Sequence, residues 1–256
     1  MLPDGTIGGN GVGFIAPHLI WDDVSDEGST IDNIHFSIRN SGGEFRAADF
    51  SSARDAASWL EQLPQGGYDI LVTVDMTSAD GYLFEDEVVS LADASSSPRQ
   101  SYFAFTHVAV VADEISVPDF KLRRLLAQVC VNLTGAPDGT VVSMNVEHVA
   151  QSVALSQKDA FGLYGLPSVL ETSVTLPEKG TLMATASGYS RTSVFITVST
   201  VDGRVIPVTI DTPRMELGEK YQIKLDFSDI SADIDLHVIT ISDWEEGWIV
   251  NQDQTL

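Results

Sequence analysis

The sequence predicts an all-β protein built from two tandem antiparallel β-sandwich domains, with one short helix in the first. Three observations predict this class: apolar and polar residues alternate along many segments, Asp-Gly pairs separate segments rich in Val, Ile and Thr, and few stretches have helical spacing. A period of two gives each strand one apolar and one polar face, which is typical of antiparallel sandwiches.

Five segments carry this alternation most clearly and are predicted to be strands. They are Ile34–Arg39, Tyr68–Asp75, Val129–Leu133, Tyr221–Phe227 and Ile234–Val238. Because successive side chains of a strand point to opposite faces, each segment is expected to bury its apolar side chains and to expose its polar ones.

Turn residues agree with these strands. Asp202-Gly203 lies between two segments rich in Val, Ile and Thr, and it supplies the positive φ angles of a tight hairpin. Asp138-Gly139 and Asp80-Gly81 are expected in further turns, and Pro64–Gly67 is a turn that leads into the strand at Tyr68.

One helix is predicted after Ser52. Ser52 and Asp55 have the spacing of a capping box, in which a hydroxyl caps the first turn and the carboxylate reaches back. Apolar residues follow at helical spacing as far as Leu63, and Pro64 ends the helix. A second helix is expected near Gln157–Leu163.

The length of 256 residues is enough for two modest domains. We expect an N-terminal sandwich over residues 1–118 and a C-terminal sandwich over residues 119–256. The joint is placed at Asp113–Asp119, because Pro118 cannot donate a hydrogen bond in a sheet.

The charge and composition exclude several classes of partner. The formal net charge is −23, so the phosphates of nucleic acids and anionic lipid surfaces repel the chain. Cys130 is the only cysteine, which excludes an internal disulfide and a cysteine-rich zinc site. No apolar run is long enough to span a membrane, and the N-terminus resembles a mature chain whose leader has been removed.

The sequence predicts no catalytic residue, no cofactor and no metal site. The five histidines have no ligand spacing, Cys130 is expected to be inert within a strand, and the glycines of Gly8–Gly13 are interpreted as a flexible tail because no lysine or helix follows them. Carboxylates cluster at Glu85–Glu87, Asp22-Asp23 and Asp233–Asp235. With 37 acidic residues, chance clusters are expected, so a hydrolase or a calcium site is a minor alternative.

The four tryptophans leave one alternative function open. Trp59 is expected to anchor the helix and Trp244 to close the second core, whereas exposed tryptophans on a β scaffold could stack on sugar rings. A surface carbohydrate-binding protein is therefore the alternative hypothesis.

Two sets of motifs resemble the fimbrillin-like fimbrial subunits of Bacteroidales, a family that includes shaft, tip and anchor proteins of surface pili. The first set is Ile34–Arg39, Ser41–Phe45 and the Leu-Pro-x-Gly-x-Tyr-Asp strand of Leu63–Val72. The second is Leu122–Leu133, Tyr221–Phe227 and the closing hydrophobic-x-Asp-Trp-x-x-Gly signature within Ile239–Gly247.

The resemblance implies two transthyretin-like domains and a non-enzymatic pilus subunit or pilus-associated adhesin at the cell surface, outer membrane or fimbrium. Its implied partners are other fimbrial subunits, with a host glycan or protein as a candidate ligand. A membrane link is implied only through a lipid anchor on a cysteine that this sequence does not contain. Such subunits assemble by strand addition, for which Trp248, Ile249 and Val250 form a candidate donor strand.

Overall fold

The computed structural model describes residues 11–21, 33–43, 45–93, 98–231, 238–242 and 247–248. Within these residues the prediction of an all-β protein is confirmed, because strands dominate and the helices are short. The helices are α1 at Ala53–Ala57, α2 at Phe227–Ser231 and a single 3-10 turn at Ser78–Asp80.

The structure has the following strands in chain order. The first eleven are β1 Val12–Ile15, β2 His18–Trp21, β3 Ile34–Asn40, β4 Phe45–Phe50, β5 Glu61–Pro64, β6 Gly66–Val74, β7 Tyr82–Glu85, β8 Val88–Leu91, β9 Tyr102–Val110, β10 Ile115–Ser116 and β11 Asp119–Arg124. The others are β12 Ala127–Thr134, β13 Val141–Ala150, β14 Ser152–Lys158, β15 Tyr164–Pro167, β16 Glu171–Pro177, β17 Lys179–Leu182, β18 Arg191–Ser199, β19 Val205–Pro213, β20 Lys220–Asp226, β21 Val238–Ser242 and β22 Gly247–Trp248.

The described residues form two compact units. Unit 1 holds those between 11 and 75 and between 103 and 122, and unit 2 holds the rest. The segment expected to be the joint lies within unit 1, since β10 pairs with β1 and β11 pairs with β2. Residues 76–102 belong to unit 2 because β8 pairs with β14.

Unit 1 contains two sheets. One has the order β10-β1-β5 and the other has the order β2-β11-β9-β6-β3-β4. The alternation that predicted β3 is visible in its burial, since Ile34, Phe36 and Ile38 are buried and the residues between them are not. The core of this unit packs around Phe36, whose ring meets that of Phe120 edge-on at 5.9 Å.

Unit 2 contains three sheets. Their strand orders are β17-β12-β20-β21-β22, β16-β13-β18-β19 and β15-β14-β8-β7. Tyr221 of β20 is among the largest fully buried side chains. The Asp202-Gly203 hairpin is confirmed between β18 and β19, with Gly203 at φ 85°.

The prediction of antiparallel sheets is wrong at three of the strand pairs whose direction the structure describes. β1 with β10, β2 with β11 and β12 with β20 run parallel. The alternation of side chains is the same in a parallel and an antiparallel strand, so the sequence pattern does not encode the direction of pairing.

The predicted helix after Ser52 is confirmed but is shorter than expected. The Ser52 hydroxyl accepts the N–H of Asp55 at 3.1 Å and donates to the Asp55 carboxylate at 2.7 Å. The helix ends at Ala57 because Glu61–Pro64 pairs with β1 instead of continuing the helical spacing.

The second predicted helix is wrong. Gln157 lies in the strand β14, which ends at Lys158. The Asp159 carboxylate then accepts the N–H groups of Phe161 and Leu163 at 2.9 Å each, which fixes a hairpin turn. The strand expected at Ile234–Val238 lies outside the described residues except for Val238, where β21 begins.

The sequence predicts a flexible tail over Gly8–Gly13, and this prediction is wrong at Gly13. Gly13 lies in β1, and a Cβ at this position would meet the carbonyl oxygen of Val111 at 2.1 Å. Glycine is therefore required here by the close approach of another backbone. Residues 8–10 lie outside the described part.

Candidate functional site

The edge of the sheet β16-β13-β18-β19 is formed on one side by β19. The N–H of Thr200 donates to the carbonyl of Arg204 at 2.9 Å, and at the far end the N–H of Arg214 donates to the carbonyl of Ser190 at 3.2 Å. The register between these ends is unbroken. Because bonded and non-bonded pairs alternate in an antiparallel ladder, the even-numbered residues of β19 face β18.

The odd-numbered residues of β19 therefore direct their backbone groups away from the sheet. These residues are Val205, Pro207, Thr209, Asp211 and Pro213. Two of the five are prolines, which have no N–H to offer, and a third carries a charge. Prolines and charges at such positions are the usual means by which an edge strand is protected against pairing with another chain.

The corresponding edge of unit 1 is formed by β4, and it has a different composition. The N–H of Asp75 donates to the carbonyl of Asn33 at 2.9 Å, so the odd-numbered residues of β3 bind β6 and its even-numbered residues bind β4. The backbone groups of Phe45, Ala47 and Asp49 consequently point away from the sheet. None of these three residues is a proline, so each keeps a backbone N–H that is directed away from β3.

Two aromatic rings lie beside this edge. Trp59 packs on Phe36 with 5.0 Å between ring centroids and on Phe50 of β4 with 5.3 Å. Phe36 is fully buried, whereas Phe50 and Trp59 are only half-buried. Trp59 was expected to anchor the helix, and these contacts attach the residue two positions after α1 to the core residue Phe36 and to β4.

The charges of β4 are paired within unit 1. The Arg46 guanidinium lies 2.9 Å from the Glu61 carboxylate, and Nδ1 of His35 lies 2.7 Å from the Asp49 carboxylate. The charged side chains of β4 therefore have polar partners within unit 1.

Histidines elsewhere repeat this pairing across neighbouring strands. His18 lies 2.9 Å from Asp119, and His107 lies 2.9 Å from Asp69. These pairs are exposed, so each contributes less than about 1 kcal/mol to stability. Four of the five histidines thus have a carboxylate partner, while His237 lies outside the described residues.

His148 belongs to the most organised polar cluster of unit 2. It sits at the bulge of β13 with φ 57°, where its ring stacks on Tyr189 at 3.9 Å. Its Nδ1 contacts the Glu171 carboxylate, which also accepts the Tyr189 hydroxyl at 2.9 Å. Sequence reasoning missed this cluster because the three residues are far apart in the chain, and the bulge had no glycine to signal it.

The hydrogen bonds of this cluster shift the pKa of Glu171 and of Tyr189. The hydrogen bond from His148 holds the pKa of Glu171 below its usual range, and the hydrogen bond to Glu171 raises the pKa of Tyr189. Because Glu171 accepts from both His148 and Tyr189, the three side chains join β13, β16 and the segment before β18 and act as a clamp.

The other candidate residues from the sequence remain scattered. Glu85 ends β7, and Asp86 and Glu87 form the turn to β8. Cys130 is half-buried in β12 with its Sγ 3.5 Å from the Asn132 side chain. No group of three or more His, Cys, Asp and Glu that could hold a metal occurs among the residues that the structure describes. The clusters Asp22-Asp23 and Asp233–Asp235, and also Trp244, lie outside them.

The candidate donor strand is described only in part. Gly247 and Trp248 form β22, in which Trp248 is opposite Ile241 of β21. Ile249 and Val250 lie outside the described residues. In the described part of the chain no helix is long and apolar enough to cross a membrane.

Comparisons with known proteins show which solved structures have a similar fold. No protein-family model and no curated protein matches the sequence. Among solved structures, the fimbrial anchor protein Mfa2 from Porphyromonas gingivalis matches 93% of this chain and 99% of its own, with 13% identity and a TM-score of 0.53. A candidate polysaccharide-binding protein from Bacteroides thetaiotaomicron matches 95% and 100%, with 9% identity and a TM-score of 0.57.

A candidate adhesin from Bacteroides ovatus is similar in the same way. It matches 95% of this chain and 96% of its own, with 10% identity and a TM-score of 0.53. The similarity extends over nearly the whole chain in all three cases. The protein therefore has the fold that Bacteroidales fimbrial and adhesin proteins share.

Proposed function

We propose that this protein is a non-enzymatic subunit or adhesin of a fimbria on the bacterial cell surface, and that it joins other fimbrial subunits by strand addition. The observation that carries the proposal is the fold it shares with a fimbrial anchor protein along 93% of its length. The resemblance of its sequence motifs to those of fimbrial subunits supports the same role without reference to the structure.

Strand addition has a clear physical basis in this chain. A strand at a sheet edge offers N–H and carbonyl groups that another extended segment can bind. The segment that begins at Trp248, with Ile249 and Val250, is the proposed donor. We further propose that the two units are tandem transthyretin-like sandwich domains, which the separate sheets of each unit support.

A deletion strain tests the proposed function. Cells that lack the protein should have fimbriae of altered number or length, or should lose adhesion, and a plasmid copy should restore them. Immunogold labelling should place the restored protein on fimbriae. Unchanged fimbriae and adhesion, with no label on the fimbriae, would contradict the proposal. A panel of chromogenic glycosides should remain unhydrolysed if the protein is not an enzyme.

Carbohydrate binding is the second candidate function. The shared fold with a candidate polysaccharide-binding protein favours it, and so does Phe161, whose side chain is 73% exposed at the tip of the β14–β15 hairpin. Exposed rings held on a rigid turn can stack on sugars.

A glycan array tests this alternative. Binding that is lost in Phe161→Ala or in Trp248→Ala would favour it. Val169→Ala is the matched control for Phe161, because Val169 is 72% exposed but not aromatic. An array without signal would remove this candidate.

A further inference from the structure

We propose that the edge of β4 in unit 1 accepts a strand from a neighbouring fimbrial subunit, whereas the edge of β19 in unit 2 is closed to strand addition. Each of the two is the last strand of its sheet among the described residues. This inference rests on the proposed function and specifies the interface that assembly uses. It follows from the direction of the backbone groups on the two edges, which side-chain burial alone does not reveal.

The β19 edge is long enough to attract a strand, since it has nine residues. Pro207 and Pro213 remove two of the five outward N–H groups, and Asp211 places a carboxylate between them. An added strand would leave carbonyl groups opposite the prolines without donors, and an unpaired buried carbonyl is unfavourable. The edge is therefore unsuited to a second strand along its length.

The β4 edge is suited to one. Phe45, Ala47 and Asp49 direct their N–H and carbonyl groups outward, and β4 is the last strand of its sheet among the described residues. Ala47 is small and lies in the middle of the strand, so another backbone can approach closely. Six residues of β4 span about 20 Å, which is a common length for a paired strand.

The surroundings of β4 specify the chemistry of the incoming strand. On the core side, Phe50 and Trp59 are half-buried, and apolar side chains at every second position of a new strand would cover them. On the outer side, Phe45 is 55% exposed and favours an aromatic or β-branched partner. The occupant is thus an extended segment with alternating apolar residues.

Strand addition suits two acidic subunits, because it joins uncharged backbone N–H and carbonyl groups. The charged side chains of β4 already have partners within unit 1. The Arg46 guanidinium lies 2.9 Å from the Glu61 carboxylate, and the Asp49 carboxylate lies 2.7 Å from Nδ1 of His35.

Two proline variants at equivalent edge positions test the proposal. Ala47→Pro removes an outward N–H of β4, and Thr209→Pro removes an outward N–H of β19. Neither residue donates to its own sheet at that position, so both variants should fold, as thermal unfolding and circular dichroism can check. Ala47→Val keeps the N–H and is the control for the change of side chain.

In the complemented deletion strain, Ala47→Pro should reduce incorporation into fimbriae about tenfold, because it removes a backbone hydrogen bond and introduces a ring at the interface. Thr209→Pro and Ala47→Val should be incorporated like the wild type. Incorporation of Ala47→Pro at the wild-type level would overturn the assignment of β4 while leaving the proposed function intact. Wild-type protein absent from fimbriae would overturn both.

Hydrogen exchange gives a second measurement on the unaltered protein. In the isolated chain the amides of Phe45, Ala47 and Asp49 should exchange rapidly, while those of Arg46, Ala48 and Phe50 are protected by β3. In purified fimbriae the first three should slow by about 100-fold or more. If exchange at these three amides is unchanged in fimbriae that contain the protein, no strand pairs with β4 and the proposal is refuted. This holds even if another ligand covers the rings of Phe50 and Trp59.

Discussion

Replacement of Tyr221 by Phe should destabilise unit 2 without changing its packing. Tyr221 lies in β20 and is 1% exposed. Its hydroxyl accepts the N–H of Glu216 at 2.9 Å and donates to the carbonyl of Arg214 at 3.1 Å. Phenylalanine has the same ring, so the variant loses these two hydrogen bonds and little else.

The size of the effect follows from the two partners. Each hydrogen bond contributes about 1 kcal/mol, and a partly buried N–H and carbonyl left without a partner add a desolvation penalty. We therefore expect the free energy of unfolding at neutral pH to fall by about 1–3 kcal/mol.

The pH dependence provides an independent check with a definite sign. Burial raises the pKa of Tyr221 well above its ordinary value of 10.0. The folded state thus keeps a proton that the unfolded chain loses above about pH 10, so the stabilisation is complete below pH 10 and is lost as the pH rises above it. Between neutral pH and pH 11, the free energy of unfolding of the wild type should fall by about 1.4 kcal/mol more than that of Tyr221→Phe. The difference in stability between the two proteins should therefore be smaller at pH 11.

Urea denaturation of both proteins at neutral pH and at pH 11 measures these differences. Tyr164→Phe is the matched control, because Tyr164 is half-buried and its ring lies beside Lys158. An equal stability of the wild type and Tyr221→Phe at neutral pH, or a gap that widens at pH 11, would refute the reasoning.

Three further predictions concern local features. Ser52→Ala should lower the stability of unit 1 by about 1 kcal/mol, as loss of an N-cap usually does, in a thermal unfolding experiment. Gly13→Ala should lower it by about 1–3 kcal/mol, because the new Cβ would lie 2.1 Å from a carbonyl oxygen. Glu171→Gln should return the pKa of Tyr189 toward its ordinary value, since the carboxylate that raises it is gone, as an ultraviolet difference titration can show.

Each of these has a control in the same region. Ser51→Ala changes a neighbouring hydroxyl that caps no helix, and Gly66→Ala adds a Cβ that would meet its nearest atom only at 3.8 Å. Full stability of Gly13→Ala would contradict the close approach inferred for β1. A titration of Glu171→Gln identical to that of the wild type would show that the clamp does not control Tyr189.

Local structure was predictable where neighbouring residues determine it. Alternation identified Ile34–Arg39 and Tyr221–Phe227 as strands, because the burial of one face imposes a period of two whatever the partner strand is. The cap at Ser52 and the turn at Gly203 were predictable for the same reason, since their hydrogen bonds and φ angles involve residues at most three positions away.

Predictions failed where a distant segment decided the outcome. The helical spacing that runs toward Leu63 yields to a strand because Glu61–Pro64 finds β1 as a partner. The clamp of His148, Glu171 and Tyr189 exists only because β13, β16 and the segment before β18 meet in space. No pattern in the sequence near any one of these residues indicates the other two.

The sequence by itself determined the all-β class, the positions of several strands, the hairpin at Asp202-Gly203 and the acidic net charge, because side-chain polarity and turn chemistry act over a few residues. Only the tertiary structure decided that β12 and β20 run parallel, and that residues 76–102 join unit 2. It also decided which backbone groups of β4 and β19 point outward. Those directions depend on which residues a neighbouring strand binds, and that register is set by contacts between segments far apart in the chain.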